Sequence, residues 1–272
     1  MRIFILGCGY TGRRVAERFL RQGDAVTVTA RDPHALGDLA RMGARVIEFE
    51  AENAGPGTLP VERGDLVLHS VPVIEGTAGP VERTRELLAS FGEEPARVVY
   101  ISTTGVYGPV RDVDETTPVN PVTERERMRV AAEELVLSGP WSGLVLRPAA
   151  IYGPGRGIHV SMAEGRFRLA GSGGNYVSRI HVEDLASHAM AGLLAVEVGG
   201  AWPVGDELPC TSREIAEYCS ALLDLPMPKP IEMNQLHETR RADRRVDGRA
   251  IRRELQLTLR YPTYRQGIPA SV

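Results

Sequence analysis

The most chemically specific run in the sequence is Gly7-Cys8-Gly9-Tyr10-Thr11-Gly12, three glycines spaced GxGxxG directly behind the apolar stretch Ile3-Phe4-Ile5-Leu6. Each glycine has its own reason. Gly7 permits a tight exit from a strand, Gly9 removes the Cβ that would strike a bound diphosphate, and Gly12 lets the next helix approach the sheet closely. The helix start then presents N–H groups with no intrahelical partner to anionic oxygens. The spacing by itself also fits a turn that serves packing only; its place between a strand and a helix, with a second strand following, favours nucleotide binding. Tyr10 and Thr11 inside the turn, and Ser70 at the end of a later strand, join the three glycines as candidate dinucleotide contacts.

A second position bears on which dinucleotide. The end of the strand after the first helix carries a carboxylate where a free ribose is read, and a cation where a 2′-phosphate is read. Arg31 occupies it, with Asp32 next. An arginine clamps phosphate bidentately and Arg13 is placed to assist from the start of the helix, so NADP is expected over NAD. The competing reading is a solvated Arg31–Asp32 pair.

The elements that must position these residues read as an alternation of strand and helix. Residues 2–6 form a buried strand, 13–22 a helix burying Val15, Ala16, Phe19 and Leu20, and 25–30 a β-branched second strand. A short helix near 33–42, strands near 45–49 and 66–70, a helix near 81–91, a strand over 97–102, a helix over 124–138 and a strand about Leu144-Val145-Leu146 continue the series. The expected fold is α/β, a Rossmann-type doubly wound parallel sheet. Residues 1–155 form the dinucleotide-binding core in this reading, and 156–272 a small substrate-side subdomain from which 175–205 returns to the core. Helical pieces fall near 161–167, 183–194 and 212–223, the last with Ser212 and Glu214 as capping residues.

The bulk numbers narrow the class. A chain of 272 residues with a net charge of -3 carries no cationic field for a polyanion, so a nucleic-acid partner is not expected. The stretch from Arg240 to Arg253 is a local exception. It is interleaved with Glu238, Asp243 and Asp247 and lacks an aromatic residue for base stacking, which suits a salt-bridged surface or a clamp for a small anion. Cys8, Cys210 and Cys219 form no metal-ligand or disulfide pattern. His181 and Asp184 lack a third ligand, so a packing or capping pair is expected and no metal. The apolar opening run is too short for a signal segment or a membrane span, and a cytoplasmic protein with no membrane partner is expected.

Beyond the glycine turn, three segments carry a family resemblance. They are Ser102-Thr103-Thr104-Gly105-Val106-Tyr107-Gly108, Arg147-Pro148-Ala149-Ala150-Ile151-Tyr152-Gly153-Pro154-Gly155, and Arg179-Ile180-His181-Val182-Glu183-Asp184-Leu185-Ala186. In this order the chain resembles the extended short-chain dehydrogenase/reductase superfamily, the NAD-dependent epimerase/dehydratase group. The resemblance implies an oxidoreductase or epimerase acting on a small polar or nucleotide-linked compound, as a monomer or homodimer. It implies that Thr103 hydrogen-bonds the reacting oxygen and that the segment from Pro148 to Ile151 lies against the nicotinamide. It also exposes a departure: Arg125 and Arg129 stand where the family has its catalytic tyrosine and lysine. Arg129 preserves charge for a ribose contact, whereas Arg125 cannot act as an acid near neutrality. Three readings stay open. A phenol from Tyr107, Tyr152 or Tyr176 substitutes; Arg125 binds a substrate anion while water supplies the proton; or the protein binds NADP(H) as a sensor or scaffold without turnover. In the plainest alternative, Glu124 to Arg129 form a solvent-facing helical surface of Glu/Arg pairs.

Overall fold

The computed structural model describes residues 1–77, 79–235 and 242–272, so Arg240 and Arg241 of the arginine-rich stretch lie outside the described residues. Strands β1 (Arg2–Leu6), β2 (Ala25–Ala30), β3 (Arg45–Glu48), β4 (Leu66–His69), β5 (Arg97–Ile101), β6 (Ser142–Pro148) and β7 (Gly200–Val204) form a seven-stranded parallel sheet in the order β7-β6-β5-β4-β1-β2-β3. The order reverses direction at β1, which has β2 on one side and β4 on the other, with Ile3 opposite both Val26 and Leu66. Such a reversal opens a crevice at the carboxyl ends of the strands, where doubly wound sheets bind ligands.

Two compact units divide the chain. The first comprises Met1–Val106, Pro121–Arg147 and Ala186–Ala201, and the second Tyr107–Asn120, Pro148–Leu185 and Trp202–Val272. In the first, near-continuous apolar strands give a core of Phe4, Leu6, Val67, Val98, Tyr100 and Val145, closed by Ala132 and Val136 of a helix. The alternation of a half-exposed sheet is absent because helices cover both faces. Arg97 is fully buried and donates to the carbonyls of Gly192, Val196 and Val198 and to Ser142, satisfying backbone groups around the end of the helix Val182–Leu194.

Three local expectations are corrected. Helix α1 runs Tyr10–Arg21 rather than from residue 13, because the Gly9 carbonyl already accepts from the Arg13 amide and Gly12 sits inside the first turn. The irregular stretch before the third long helix contains an antiparallel pair, Ile74–Gly76 with Gly79–Val81, and α3 spans only Thr84–Ala89. The helix Ser212–Leu223 is capped by Thr211, not Ser212: the Thr211 hydroxyl accepts from the Glu214 amide and the Glu214 carboxylate accepts from the Thr211 amide.

The second unit has its own core of Tyr152, Met162, Leu169, Cys210, Ile215, Cys219, Tyr264 and Ile268. His181 and Asp184 hold its C-terminal tail. Asp184 accepts from the amides of Arg260 (2.7 Å) and Tyr261 (3.0 Å), and the His181 ring bonds Ser271 and packs against Tyr152 and Tyr261. That is the expected packing and capping pair.

One buried charge stands out there. Asp206 is 3% exposed, and its Oδ1 accepts from the Leu208 amide while its Oδ2 has no hydrogen-bond partner among the described residues. Burial raises its pKa to about 7 and nearby Asp184 adds to the rise, against the opposing pull of Arg179, Leu208 N–H and Arg252. Because the folded pKa exceeds the unfolded one, the stabilisation is complete below the ordinary carboxylate range and is lost as pH rises toward 7. The wild-type melting temperature is expected to fall between pH 4 and 7, by the equivalent of a few kcal/mol (~3). The Asp206→Asn protein lacks this slope. Parallel slopes in calorimetric scans of the two proteins would contradict the assignment.

Candidate active site

The glycine turn is built into the sheet by two hydroxyls. The Gly7 amide donates to Thr29 Oγ1 (2.9 Å), the Cys8 amide donates to the Thr29 carbonyl (2.8 Å), and Ser70 Oγ donates to the Gly7 carbonyl (2.6 Å). Thr29 comes from β2 and Ser70 follows β4, so the strands flanking β1 fix the turn from both sides. Ser70 thus shapes the turn with the hydroxyl that the sequence had offered as a cofactor contact. Gly7 has φ +80°, and a Cβ on it would lie 2.8 Å from Val71. A Cβ on Gly12 would lie 3.1 Å from Ile5. Gly9 differs: a Cβ there meets nothing within 4 Å. Its backbone gives no left-handed reason for glycine either, since φ is -92°.

Gly9 is also the N-cap of α1, and no side chain caps this helix. The amides of the first turn therefore face the open space that the absent Cβ leaves. No acidic residue lies in that turn, so the positive end of the helix dipole is uncompensated there. The Gly9 amide is spent on the Gly7 carbonyl (2.8 Å), so the arrangement fits a diphosphate held by the N–H groups of Tyr10, Thr11 and Gly12. Cys8 is no nucleophile beside it, because burial pushes its thiol up to about 12.

At the end of β2, Arg31 and Asp32 are both exposed but differently engaged. Asp32 caps the short turn Pro33–Leu36, its carboxylate accepting from the His34 amide (2.9 Å). No hydrogen bond or ion pair is recorded for Arg31 among the described residues. Arg13 donates to the Ala35 carbonyl (2.6 Å) and pairs with Asp38, which ties α1 to this segment.

Helix α4 (Glu124–Leu137) starts with a reciprocal capping box between Thr123 and Glu126. Arg127 faces solvent, but Arg125 and Arg129 are not part of the solvent-facing row that one reading of the sequence allowed. Arg125 is half-buried and donates to the Val73 carbonyl (2.7 Å), just beyond the loop that contacts Gly7. Arg129 is 8% exposed and donates to the phenol of Tyr100, which is fully buried on β5. The Tyr100 ring packs 4.7 Å from His69, whose Nε2 bonds Thr84 Oγ1 (2.8 Å). Burial, reinforced by Arg129, lowers the His69 pKa to about 3. The imidazole is therefore neutral at every physiological pH and supplies no proton.

At the end of β5, Ser102 donates to Glu133, which is 2% exposed and forms a two-pronged ion pair with Arg147 (Nη2 to Oε2 2.6 Å). Three elements, β5, α4 and β6, are thus locked where Thr103 begins its loop. Thr103 Oγ1 accepts from the Gly105 amide (3.1 Å), which keeps its own proton available for donation. Sequence reasoning passed over Tyr100 and His69, which read as apolar strand positions. In the second unit, Pro148 ends β6 and Ile151 pairs with Ile180. Tyr107 and Tyr152 are buried at 1% and 3% exposure, and burial raises the Tyr152 pKa well above the ordinary phenol range. The Tyr176 ring lies beneath Arg111 and Arg245.

The model for the NAD dependent epimerase/dehydratase family matches residues 3–205. The chain belongs to this family. The structure of a functionally unknown conserved protein from Silicibacter pomeroyi DSS is similar, at 30% identity and a TM-score of 0.82 over 99% of this chain and 97% of that one. UDP-glucuronic acid 4-epimerase from Bacillus cereus, solved with UDP-glucuronic acid and NAD, shares the epimerase/dehydratase fold at 16% identity, with a TM-score of 0.78 over 100% of this chain and 98% of the other. A 3-diazoavenalumate denitrifying reductase from a Streptomyces species is 24% identical over 263 residues, covering 85% of this chain and 84% of its own. Among the described residues, no three His, Cys, Asp or Glu side chains group as metal ligands, and no helix is long and apolar enough to cross a membrane.

The two glycines of α1 separate binding from folding. Gly9→Val is expected to keep the wild-type melting temperature within about 2 °C and to weaken NADP(H) binding at least about tenfold, because the new side chain enters only open space. Gly12→Val presses on Ile5 and is expected to lower the melting temperature by several degrees, about 5 °C. Fluorescence titration and thermal denaturation read both.

Proposed function

We propose that this protein is an NADP(H)-using oxidoreductase of the epimerase/dehydratase type, acting on a small polar or nucleotide-linked compound. The observation that carries the reading is the uncapped start of α1 beneath Gly9, a cradle with no packing reason for its missing Cβ. The preference for the 2′-phosphorylated cofactor rests on Arg31, an exposed cation, beside an Asp32 whose carboxylate is already turned onto His34. A ribose hydroxyl would want that carboxylate; a phosphate wants the arginine.

In this reading the cofactor, when bound, supplies the redox chemistry. The amides of Tyr10, Thr11 and Gly12 hold its diphosphate over the open face of Gly9, and Arg31 takes the 2′-phosphate. Arg129 has guanidinium donors beyond the one given to Tyr100 and serves the nicotinamide ribose, while Pro148 and Ile151 cover the ring. Thr103 donates its hydroxyl proton in a hydrogen bond to the reacting oxygen of the substrate. Arg125 orients an anionic group of the substrate, and its anchor on the Val73 carbonyl holds its guanidinium in place. Water supplies the proton that the family's tyrosine would give. A soluble cytoplasmic monomer or homodimer suits the net charge of -3 and three free, buried cysteines.

A second reading has its own support. Arg125 and Arg129 of α4 are already engaged by protein groups, and Tyr107 and Tyr152, two of the three candidate phenols, are buried. A sensor or scaffold that binds NADP(H) without turnover needs no proton donor. The nicotinamide absorbance of the loaded protein separates the two. A panel of sugar nucleotides, small ketones and, given the Streptomyces relative, an aryl diazo compound is expected to contain one substrate that changes it. Thr103→Ala is expected to cut that turnover about 100-fold with cofactor affinity unchanged. Silence across the panel with tight NADP(H) binding favours the sensor.

A further inference from the structure

The second unit carries an open depression of about 410 Å³ lined by Glu207, Arg249, Arg252, Arg253, Gln256 and Leu257. Arg249, Arg252, Arg253 and Gln256 recur at the three- and four-residue spacing that places side chains on one helical face, along the helix Arg249–Glu254 and its C-terminal turn. The charges in it are unevenly satisfied. Arg249 is chelated by Asp247 through Nε (3.0 Å) and Nη2 (2.6 Å). Arg252 is 8% exposed and donates Nη1 to the Gly205 carbonyl (2.8 Å), yet its carboxylate neighbour Glu207 is 3.7 Å away, beyond hydrogen-bond distance. Arg253 faces Glu115 at 3.9 Å, also too long for a hydrogen bond.

Gln256 adds an independent sign. The helix closes with the Leu257 amide donating to the Arg252 carbonyl (2.8 Å), and the residue in the left-handed position of this closure is Gln256, at φ +52°. Glycine occupies such a position without strain. A glutamine is retained there against its backbone preference, and it brings an amide to the wall of the depression. Basic residues near a helix C-terminus are also favoured by its dipole. That accounts for the presence of Arg252 and Arg253, but not for a strained glutamine, nor for an arginine nine-tenths buried with its carboxylate out of hydrogen-bond reach.

We propose that this depression binds a sugar phosphate or similar phosphorylated polyol, at a site assembled wholly within the second unit. Guanidinium donors on two neighbouring arginines, Arg252 and Arg253, with the Gln256 amide four and three residues on, match the tetrahedral oxygens of a phosphate better than the single plane of a carboxylate. Glu207, half-exposed at the rim, accepts from hydroxyls of the sugar, and Leu257 supplies an apolar wall. The proposal does not rest on the reading of the glycine turn.

The test is calorimetric titration of the full chain with glucose 6-phosphate, with inorganic pyrophosphate and with glucose, each with and without saturating NADP(H). Glucose 6-phosphate is expected to bind saturably with a Kd of about 1 mM or tighter in both conditions, and glucose not at all. Arg253→Gln is expected to weaken binding about fivefold. Gln256→Gly is the sharper variant: it relieves the backbone, so the melting temperature holds or rises, while affinity falls about threefold. No saturable heat from glucose 6-phosphate up to about 10 mM overturns the proposal, as does unchanged affinity in Gln256→Gly. If pyrophosphate alone binds, a phosphate site stands and the sugar specificity is overturned. Signal that vanishes whenever NADP(H) is present overturns the separate site and leaves the cofactor reading untouched.

Discussion

The open start of α1, where no side chain caps the helix, is the constraint on which the rest of the first unit turns. The first N–H groups of a helix have no partner within the helix itself, and folded chains rarely leave such donors unsatisfied at a buried end. Here the end is kept open by glycine and held in place by Thr29 and Ser70, one from each strand beside β1. The order of the sheet makes this possible. Because β1 lies between β2 and β4, both hydroxyls reach the same turn, and the turn sits where the sheet reverses direction. The loop after β4 is in turn tied to α4 through Arg125 and Val73. Arg125, 52 residues beyond Val73 in sequence, therefore shares the scaffold of the glycine turn's neighbour.

A second layer of order lies under Thr103. Glu133 is buried with Arg147 and Ser102, and removing one member of such a group leaves a charge with no partner, a loss of about 3–5 kcal/mol in comparable cases. Its position gives it a meaning beyond stability: it fixes the end of β5, the start of the Thr103 loop and the middle of α4 as one piece. Arg129 and Tyr100 add a further tie between α4 and β5. Arg125 and Arg129, at the positions where the sequence resemblance sets a tyrosine and a lysine, are cations anchored to the chain's own loop and sheet. Chemistry at this site, if it follows the family in form, draws its proton from elsewhere.

Much of the fold was legible because its signals are local. Buried parallel strands show as short apolar runs, and the run Ile3 to Leu6 and the β-branched stretch Ala25 to Ala30 each carry their own physical reason. The misreadings come from tertiary compensation. Gly12 looked like the residue before a helix because glycine is a poor helix former, yet its contact with Ile5 needs no Cβ, and helix surrounds it. Thr211 rather than Ser212 caps its helix, a choice between adjacent residues that composition cannot make. The site was legible in its motifs and illegible in its partners. Asp32 read as half of a solvated pair and is a turn cap. Arg129 read as a ribose contact or a surface charge, and nothing local announces that its guanidinium meets Tyr100, 29 residues earlier and across the helix–sheet layer. Hydrogen bonds between distant elements have no period to betray them.

Hydrogen exchange on the whole chain tests the central claim most directly, because it reports on the amides themselves. With NADP(H) present, the backbone N–H groups of residues 10–12 are predicted to slow strongly, by about tenfold or more, with a smaller effect around Arg31. Unchanged exchange in that turn at saturating cofactor, or protection confined to other segments, would contradict the account.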